Sequence, residues 1–324
     1  MRKTRFLFLS VILSLVIVSS CKKDDPVVEA QVLVEYLESS VNPVNFMPSI
    51  ISAADLQTAN AAGQVYIIDL RAANDYDNGH IANAVNVTAG DILNHVDNTD
   101  LSGYQKIAVV CYSGQSAAWA TSILRLHGYN NAYSLGFGMA SWNLSCTGSW
   151  DNSIGNGYAT YFEGNAETKP AEGDLPDLNT GYDTGEDILE SRTNTILGEG
   201  FGTNAVAITA ATVTQNLDNY YIVNYWPEGE YLNPGHLEGA YQYTPKGSLT
   251  LATDLKTLPT DKPIVVYCYT GQTSAYMAAY LRVLGYDAKT LLFGANGMIY
   301  DQMTKAKWTN PYDAQTPGYD LVTK

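Results

Sequence analysis

Two cysteines sit in nearly the same pattern of neighbours. Ile107-Ala-Val-Val-Cys111-Tyr112-Ser113-Gly114-Gln115-Ser116-Ala117 returns as Ile264-Val-Val-Tyr-Cys268-Tyr269-Thr270-Gly271-Gln272-Thr273-Ser274. Each reads as a short apolar run, a Cys, a tight polar loop with one Gly, and then a helix. Backbone N–H groups at a helix start have no intrahelical partner, and with the helix dipole they attract anions. A Cys facing such groups is stabilised as thiolate, with a pKa that can fall to roughly 3.5–7.5. Gly114 and Gly271 permit a turn that a side chain would block. A loop of this build can hold a thiolate, or an anion bonded to its sulfur.

The elements around the loops follow from pattern. The apolar runs show no alternation, as in a parallel strand buried on both faces. Ala117 to Leu126 and Ala275 to Leu284 follow with helical spacing, and Gly128 and Gly285 stand where a C-terminal cap belongs. Upstream, Val28, Val32, Leu33, Tyr36 and Leu37 predict a leading helix packed on the first domain. Ser52 is the N-cap of the next helix. Tyr66 to Leu70 reads as a strand, Asp75 to Asn86 as a loop leading to a short strand, and Asp91 to Val96 as helical. Asn131 to Leu135 reads as the last strand, with Gly136 to Trp142 a turn into a helix. From about Asp151 to Gly185, Gly, Asn, Asp, Thr and Pro dominate and periodicity disappears, which predicts a solvated connector.

The second half then repeats the first. Ile51-Ser-Ala-Ala returns at Ile208, Tyr66-Ile-Ile-Asp69 at Tyr221-Ile-Val-Asn224, Gly79-His80-Ile81 at Gly235-His236-Leu237, and Arg125 at Arg282. The helix Glu186 to Leu197 matches the leading helix by position. Strand and helix alternate throughout, so each copy is expected to be an α/β domain with a mostly parallel sheet. The expected division is 1–20 a signal peptide, 21–44 an anchor segment and leading helix, 45–150 the first domain, 151–202 a linker and leading helix, and 203–324 the second domain.

A chain of 324 residues with net charge −15 does not suit a nucleic-acid binder. Four cysteines, Cys21, Cys111, Cys146 and Cys268, are too few for a disulfide framework. No cluster of His, Cys and acids has metal-ligand spacing, so neither metal nor cofactor is expected. Arg2, Lys3 and Arg5 precede an apolar run, Phe6 to Val18, too short to span a membrane. The run ends in Val18-Ser-Ser-Cys21, which resembles a bacterial lipobox and makes Cys21 the expected lipidation site. Cys21-Lys-Lys-Asp-Asp25 also resembles the export signal of surface lipoproteins in some Gram-negative bacteria. The expectation is a lipid-anchored protein of the cell envelope, periplasmic or at the outer membrane or cell surface.

Each half resembles a rhodanese domain, and the whole resembles a tandem-rhodanese sulfurtransferase. In the first copy the resemblance rests on Asp69-Leu-Arg71, Asp75-Tyr76, Gly79-His80-Ile81, Ala84-Val-Asn86, the Cys111 loop and Gly136 to Trp142. In the second it rests on Glu230-Tyr231, Gly235-His236-Leu237, Gly239-Ala240, the Cys268 loop and Phe293-Gly294 with Gly297. It covers most of 45–145 and 203–305. It implies two tandem domains, each a five-stranded parallel sheet flanked by helices, and two-step sulfur transfer. Cys111 and Cys268 would be the nucleophiles, taking sulfane sulfur from thiosulfate or a persulfide and passing it to cyanide or a thiol. Residues 112–117 and 269–274 would bind the anion, with Arg71, Asp75, His80, Glu230 and His236 in support.

Two departures matter. Where many members carry an Arg in the loop, this chain has Ser116 and Thr273, so neither loop offers a guanidinium to a dianion such as thiosulfate. Asp69-x-Arg71 becomes Asn224-x-Trp226. A non-catalytic sulfur carrier, or an anion- or partner-binding module, is the alternative. A Cys-dependent phosphatase would need an Arg where Ala117 and Ser274 stand. His80 and His236 are expected to brace their turns rather than act as bases. His95 and His127 read as surface residues, Cys146 as a structural thiol, and Trp119 and Tyr276 as packing.

Overall fold

The structure, a computed structural model, describes residues 28–309 and 317–324. The signal segment and Cys21 therefore lie outside the described residues.

The first half opens with α1 (Glu29–Ser40) and α2 (Pro43–Phe46), then β1 (Ile50–Ile51), α3 (Ala53–Ala61), β2 (Val65–Asp69) and α4 (Ala73–Asn78). It continues through β3 (Ala84–Asn86), α5 (Ile92–Asp97), β4 (Lys106–Val110), α6 (Gln115–Leu126) and β5 (Ala132–Leu135). Ser52 caps α3, its hydroxyl accepting from the Asp55 N–H at 3.0 Å. The strands order as β1-β5-β4-β2-β3, every pair parallel. In the central strand β4, Ile107 to Val110 are all buried, as the unalternating sequence requires.

A short α7 (Gly148–Asp151) and β6 (Phe162–Glu163) join the halves. The second half runs α8 (Gly185–Glu199), β7 (Ala207–Ile208), α9 (Ala210–Gln215), β8 (Tyr221–Asn224), α10 (Glu228–Leu232), β9 (His236–Leu237) and β10 (Tyr241–Gln242). It ends with β11 (Ile264–Tyr267), α11 (Gln272–Val283) and β12 (Ala288–Leu291). Its main sheet is β10-β8-β11-β12-β7, again five strands and all parallel.

Three expectations need correction. The stretch from Asp75 is not all loop: Ala73–Asn78 is helical, with no buried residue to mark it by apolar spacing. The leading helix α1 packs chiefly on its counterpart α8, not on the first domain alone. The connector is not simply solvated. Its Phe162–Glu163 pairs antiparallel with β9, and Trp150 just before it is fully buried. Two-residue strands are too short to show alternation.

The connector has a mirror image. The C-terminal tail reaches back to the first half, where Val322 and His80 exchange backbone hydrogen bonds of 2.9 Å in each direction. Each half therefore sends its C-terminal extension to the Gly-His turn of the other. Helices α6 and α11 pack together between the sheets. The Ser122 hydroxyl donates to the Tyr276 carbonyl at 3.0 Å, and the Tyr276 hydroxyl donates to the Ser49 carbonyl. Phe137, Trp150, Phe293 and Trp308 meet where the extensions cross, with the two indoles stacked at 5.7 Å between ring centres.

Candidate active site

Each cysteine stands just past the C-terminal end of its central strand. The chain turns there through a glycine in the left-handed region, Gly114 at φ +87° and Gly271 at φ +77°, and enters a helix. That region favours glycine, and space reinforces the choice. A Cβ on Gly114 would collide with the Gln272 amide, and one on Gly271 with the Gln115 amide.

In the first site, Cys111 Sγ accepts from the Gly114 N–H at 3.1 Å and from the Ala117 N–H at 3.3 Å. The sulfur is aimed into the orphan N–H groups of α6, as the sequence pattern implies. The turn after β5 closes the loop from behind. The Met139 N–H donates to the Cys111 carbonyl at 2.8 Å, and a Cβ on Gly138 (φ +63°) would strike that carbonyl and the Gly114 nitrogen. In the second site, Cys268 Sγ accepts from the Ser274 N–H at 3.4 Å, with the Ser274 hydroxyl 3.7 Å away. The Ala295 N–H holds the Cys268 carbonyl at 3.0 Å. Both cysteines are almost fully buried, 2% and 1% exposed.

The supporting residues gather around the loops. Arg71, itself buried, binds Asp69 through Nη2 at 2.7 Å and donates from the same nitrogen to the Gly79 carbonyl at 2.7 Å. Burial works against the guanidinium charge, but the Asp69 hydrogen bonds and charge outweigh it and raise the Arg71 pKa. The Tyr112 hydroxyl donates to Asp75, and the Tyr269 hydroxyl to Glu230. Burial first, and then the Asp75 hydrogen bond, pushes the Tyr112 phenol up. The same two causes, with Glu230 as the carboxylate, push Tyr269 up. Each phenol stays protonated and ties its loop to the helix across from it. His80 Nδ1 lies 2.7 Å from the Tyr76 carbonyl and His236 Nδ1 lies 2.8 Å from the Tyr231 carbonyl, so each donates there and braces its turn. Each ring also stacks on that same tyrosine.

A cavity of about 310 Å³ opens beside the first loop, lined among others by Arg71, Asp75, Tyr112, Met139, Cys146 and Leu321. Cys146 and the tail residue Leu321 were not expected on this wall. In the second copy Trp226 stands in place of Arg71 and stacks on Tyr269, ring centres 4.8 Å apart. Lys305, from the tail, pairs with Glu230 and lies 5.5 Å from the Tyr269 ring centre. It is a cation beside the second loop that local spacing does not reveal.

The loop residues do not all face the sulfur. The side chains of Gln115 and Gln272, expected at the anion site, reach instead into the opposite domain. The Phe293 N–H donates to Gln115 Oε1 at 2.8 Å, and the Phe137 N–H donates to Gln272 Oε1 at 3.0 Å. The sole signal in sequence is that a long amide recurs at the same place in two loops. His127 is also not simply a surface residue, since its Nε2 lies 2.8 Å from the Thr193 hydroxyl on α8.

A cysteine held by helix N-terminal amides at the C-terminal end of the central strand of a five-stranded parallel sheet, present twice in one chain, defines a two-domain α/β protein with paired thiol sites. The family model described as "Rhodanese-like domain" matches residues 52–145 and 209–298, and the chain belongs to that family. It is similar to the thiosulfate sulfurtransferase GlpE of Shewanella oneidensis, 31% identical over 93 residues, 29% of this chain and 90% of the relative. Among solved structures it is similar to a rhodanese-related protein of Thermoplasma volcanium, 28% identical over 29% of this chain and 89% of that one, TM-score 0.26. A thiosulfate sulfurtransferase of Pseudomonas aeruginosa is 17% identical over 88% of this chain and 49% of its own, TM-score 0.30. The chain thus spans about half the length of that protein.

Proposed function

We propose that the protein is a sulfurtransferase working through a cysteine persulfide, with Cys111 as the principal nucleophile. The observation that supports this most is the pair of N–H groups, from Gly114 and Ala117, directed at Cys111 Sγ. The thiolate attacks the sulfane sulfur of a donor, thiosulfate or an organic persulfide. A new S–S bond forms at Sγ, the donor's S–S bond breaks, and its electron pair leaves with sulfite or with the donor thiolate. An acceptor, cyanide or a thiolate, then attacks the outer sulfur and returns the cysteine thiolate. The loop N–H groups stabilise the thiolate and the persulfide anion in turn, which is nucleophilic catalysis in a preorganised electrostatic site. Without a loop Arg, an organic persulfide is the donor we favour over a dianion.

A second reading is a sulfur carrier or anion- or partner-binding module without turnover. The near-complete burial of both sulfurs speaks for it. We place the protein on the cell envelope through a lipid at Cys21, with a small sulfur donor and a thiol or cyanide acceptor as its partners.

The test is to mix the chain, with Cys21 replaced by Ser, with thiosulfate and separately with a small organic persulfide, and to count added sulfur by intact-mass spectrometry. Sulfur gained and then lost to cyanide is the expected outcome. No uptake from either donor, with both thiols reduced, overturns the enzyme reading.

A further inference from the structure

The two cysteine loops are joined by a continuous chain of short contacts. Gln115 begins α6, inside the ring of amides that faces Cys111. Its amide nitrogen donates to the Ser113 hydroxyl at 3.0 Å, and its oxygen accepts from the Phe293 N–H across the interface. Phe293 and Gly294 form the turn behind the other loop, where the Ala295 N–H holds the Cys268 carbonyl. In the reverse direction Gln272 begins α11, and its oxygen accepts from the Phe137 N–H. Its amide nitrogen lies 3.4 Å from the Leu135 carbonyl. Phe137 opens the turn whose Met139 N–H holds the Cys111 carbonyl. Both amides are buried, and each fills the space beside the glycine of the opposite loop. Such reciprocity, i to j and j to i, is the mark of an isologous contact, here built within one chain.

Sulfur added to either cysteine has to be accommodated here. An S–S bond places the outer sulfur about 2.05 Å beyond Sγ. In the first loop Sγ already lies against the Gly114 and Ala117 amides, while Gly138 backs the Cys111 carbonyl and the Gln272 amide fills the space beside Gly114. An outer sulfur placed among these amides crowds the loop from Cys111 to Ala117, and Gln115 lies within that loop. We propose that Gln115 and Gln272 are positioning residues acting across the interface. Each holds the cysteine loop of the other domain, so that sulfur on one cysteine lowers the reactivity of the other. The consequence for sulfur transfer rests on the function proposed above; the positioning itself does not.

Methyl methanethiosulfonate separates the two. A cysteine thiolate attacks its methylthio sulfur, an S–S bond to Sγ forms, and methanesulfinate leaves with the electron pair of the broken bond. The reagent adds the same S–S unit without requiring sulfurtransferase activity. In the full chain with Cys21 and Cys146 replaced by Ser, intact-mass spectrometry over time should show the second modification about tenfold slower than the first, within the usual range of coupling between sites. The Gln115→Ala/Gln272→Ala variant should bring the doubly modified form up to the product of the two single-site occupancies. A wild type already at that product, or a lag unchanged in the variant, overturns the coupling.

Hydrogen exchange reads the positioning without any reaction at the thiols. Gln272→Ala should speed exchange in residues 136–142 of the opposite domain at least tenfold and leave 65–69 unchanged. Gln272→Glu, which keeps an acceptor for the Phe137 N–H, should retain slow exchange. Unchanged exchange in 136–142 of Gln272→Ala overturns the positioning role even where the thiols prove inert. A lag with the methylthio reagent but no sulfur uptake from donors would leave the interlock standing and remove the sulfurtransferase.

Discussion

The two sites share a loop and differ in the wall beside it. Both have Cys, Tyr, a left-handed Gly and a Gln that begins a helix, and both tie the Tyr to a carboxylate, Asp75 or Glu230. Beside Cys111 the wall is a buried Arg71–Asp69 pair with a cavity in front of it. Beside Cys268 it is Asn224 and Trp226, with the indole stacked flat on Tyr269 and Lys305 outside. Among the described residues, Asn224 Oδ1 and Trp226 Nε1 have no hydrogen-bond partner. The sulfur differs as well: two backbone N–H groups point at Cys111, but one N–H and a more distant hydroxyl serve Cys268. The common loop preserves what any thiolate needs, and the wall governs what can approach it. We therefore expect the first site to carry most of the turnover and the second to act on it through the interlock.

The largest effect should come from removing the nucleophiles. Cys111→Ser should lower cyanide-accepting sulfur transfer by about tenfold or more, the remainder being the share of Cys268. Cys268→Ser should lower it by no more than about threefold. Steady-state rates of the two variants decide this, and a reversed ranking would make the second site the working one. Next is the wall. Arg71→Leu strands Asp69 as a buried, unpaired carboxylate, which should cost about 3–5 kcal/mol in urea unfolding. Trp226→Leu strands no charge and should cost about 2 kcal/mol for the lost packing. The double variant Asp69→Asn/Arg71→Leu should recover much of the first loss, because the stranded charge is what makes Arg71→Leu expensive. If it recovers nothing, packing of the guanidinium stem rather than the ion pair holds the wall.

How far the sequence exposed this arrangement depended on distance along the chain. The Cys loops, the Ser52 cap and the glycines at Gly114 and Gly271 were legible because each is a local pattern with one mechanical explanation. A mostly parallel sheet followed from the unalternating runs and the alternation of strand and helix, and its five strands from the family resemblance. The Asp69–Arg71 pair, two residues apart, was also within reach. What was missed comes from far away. Gln115 and Gln272 face partners more than 130 residues distant, and Leu321 and Lys305 arrive from a tail without periodicity. Helix Ala73–Asn78 has no fully buried residue, so no apolar spacing marks it. One long-range clue was available: Trp150 and Trp308 stand almost one repeat length apart. Their stacking records the crossing of the two extensions.

The smallest predicted effect concerns the ends of the matching helices. His127 closes α6 where Leu284 closes α11, so one copy carries a titratable group and the other does not. Burial lowers the His127 pKa, with Asp97 opposing only in part, and Nε2 meets the Thr193 hydroxyl of α8. The folded protein therefore holds this imidazole neutral more firmly than the unfolded chain does. By linkage its contribution to stability is complete above the unfolded value of about 6.5 and is lost as pH falls through that value toward the lower folded one. His127→Gln keeps a hydrogen-bonding group for Thr193 and removes the titration. Between pH 7.5 and pH 5 the wild type should lose more thermal stability than this variant, by a margin on the order of 2 °C. A variant that loses as much as the wild type would place the acid sensitivity of the α6–α8 contact elsewhere. A variant that loses less would assign the acid sensitivity of the α6–α8 contact to His127, a group that the matching position of α11, Leu284, does not carry.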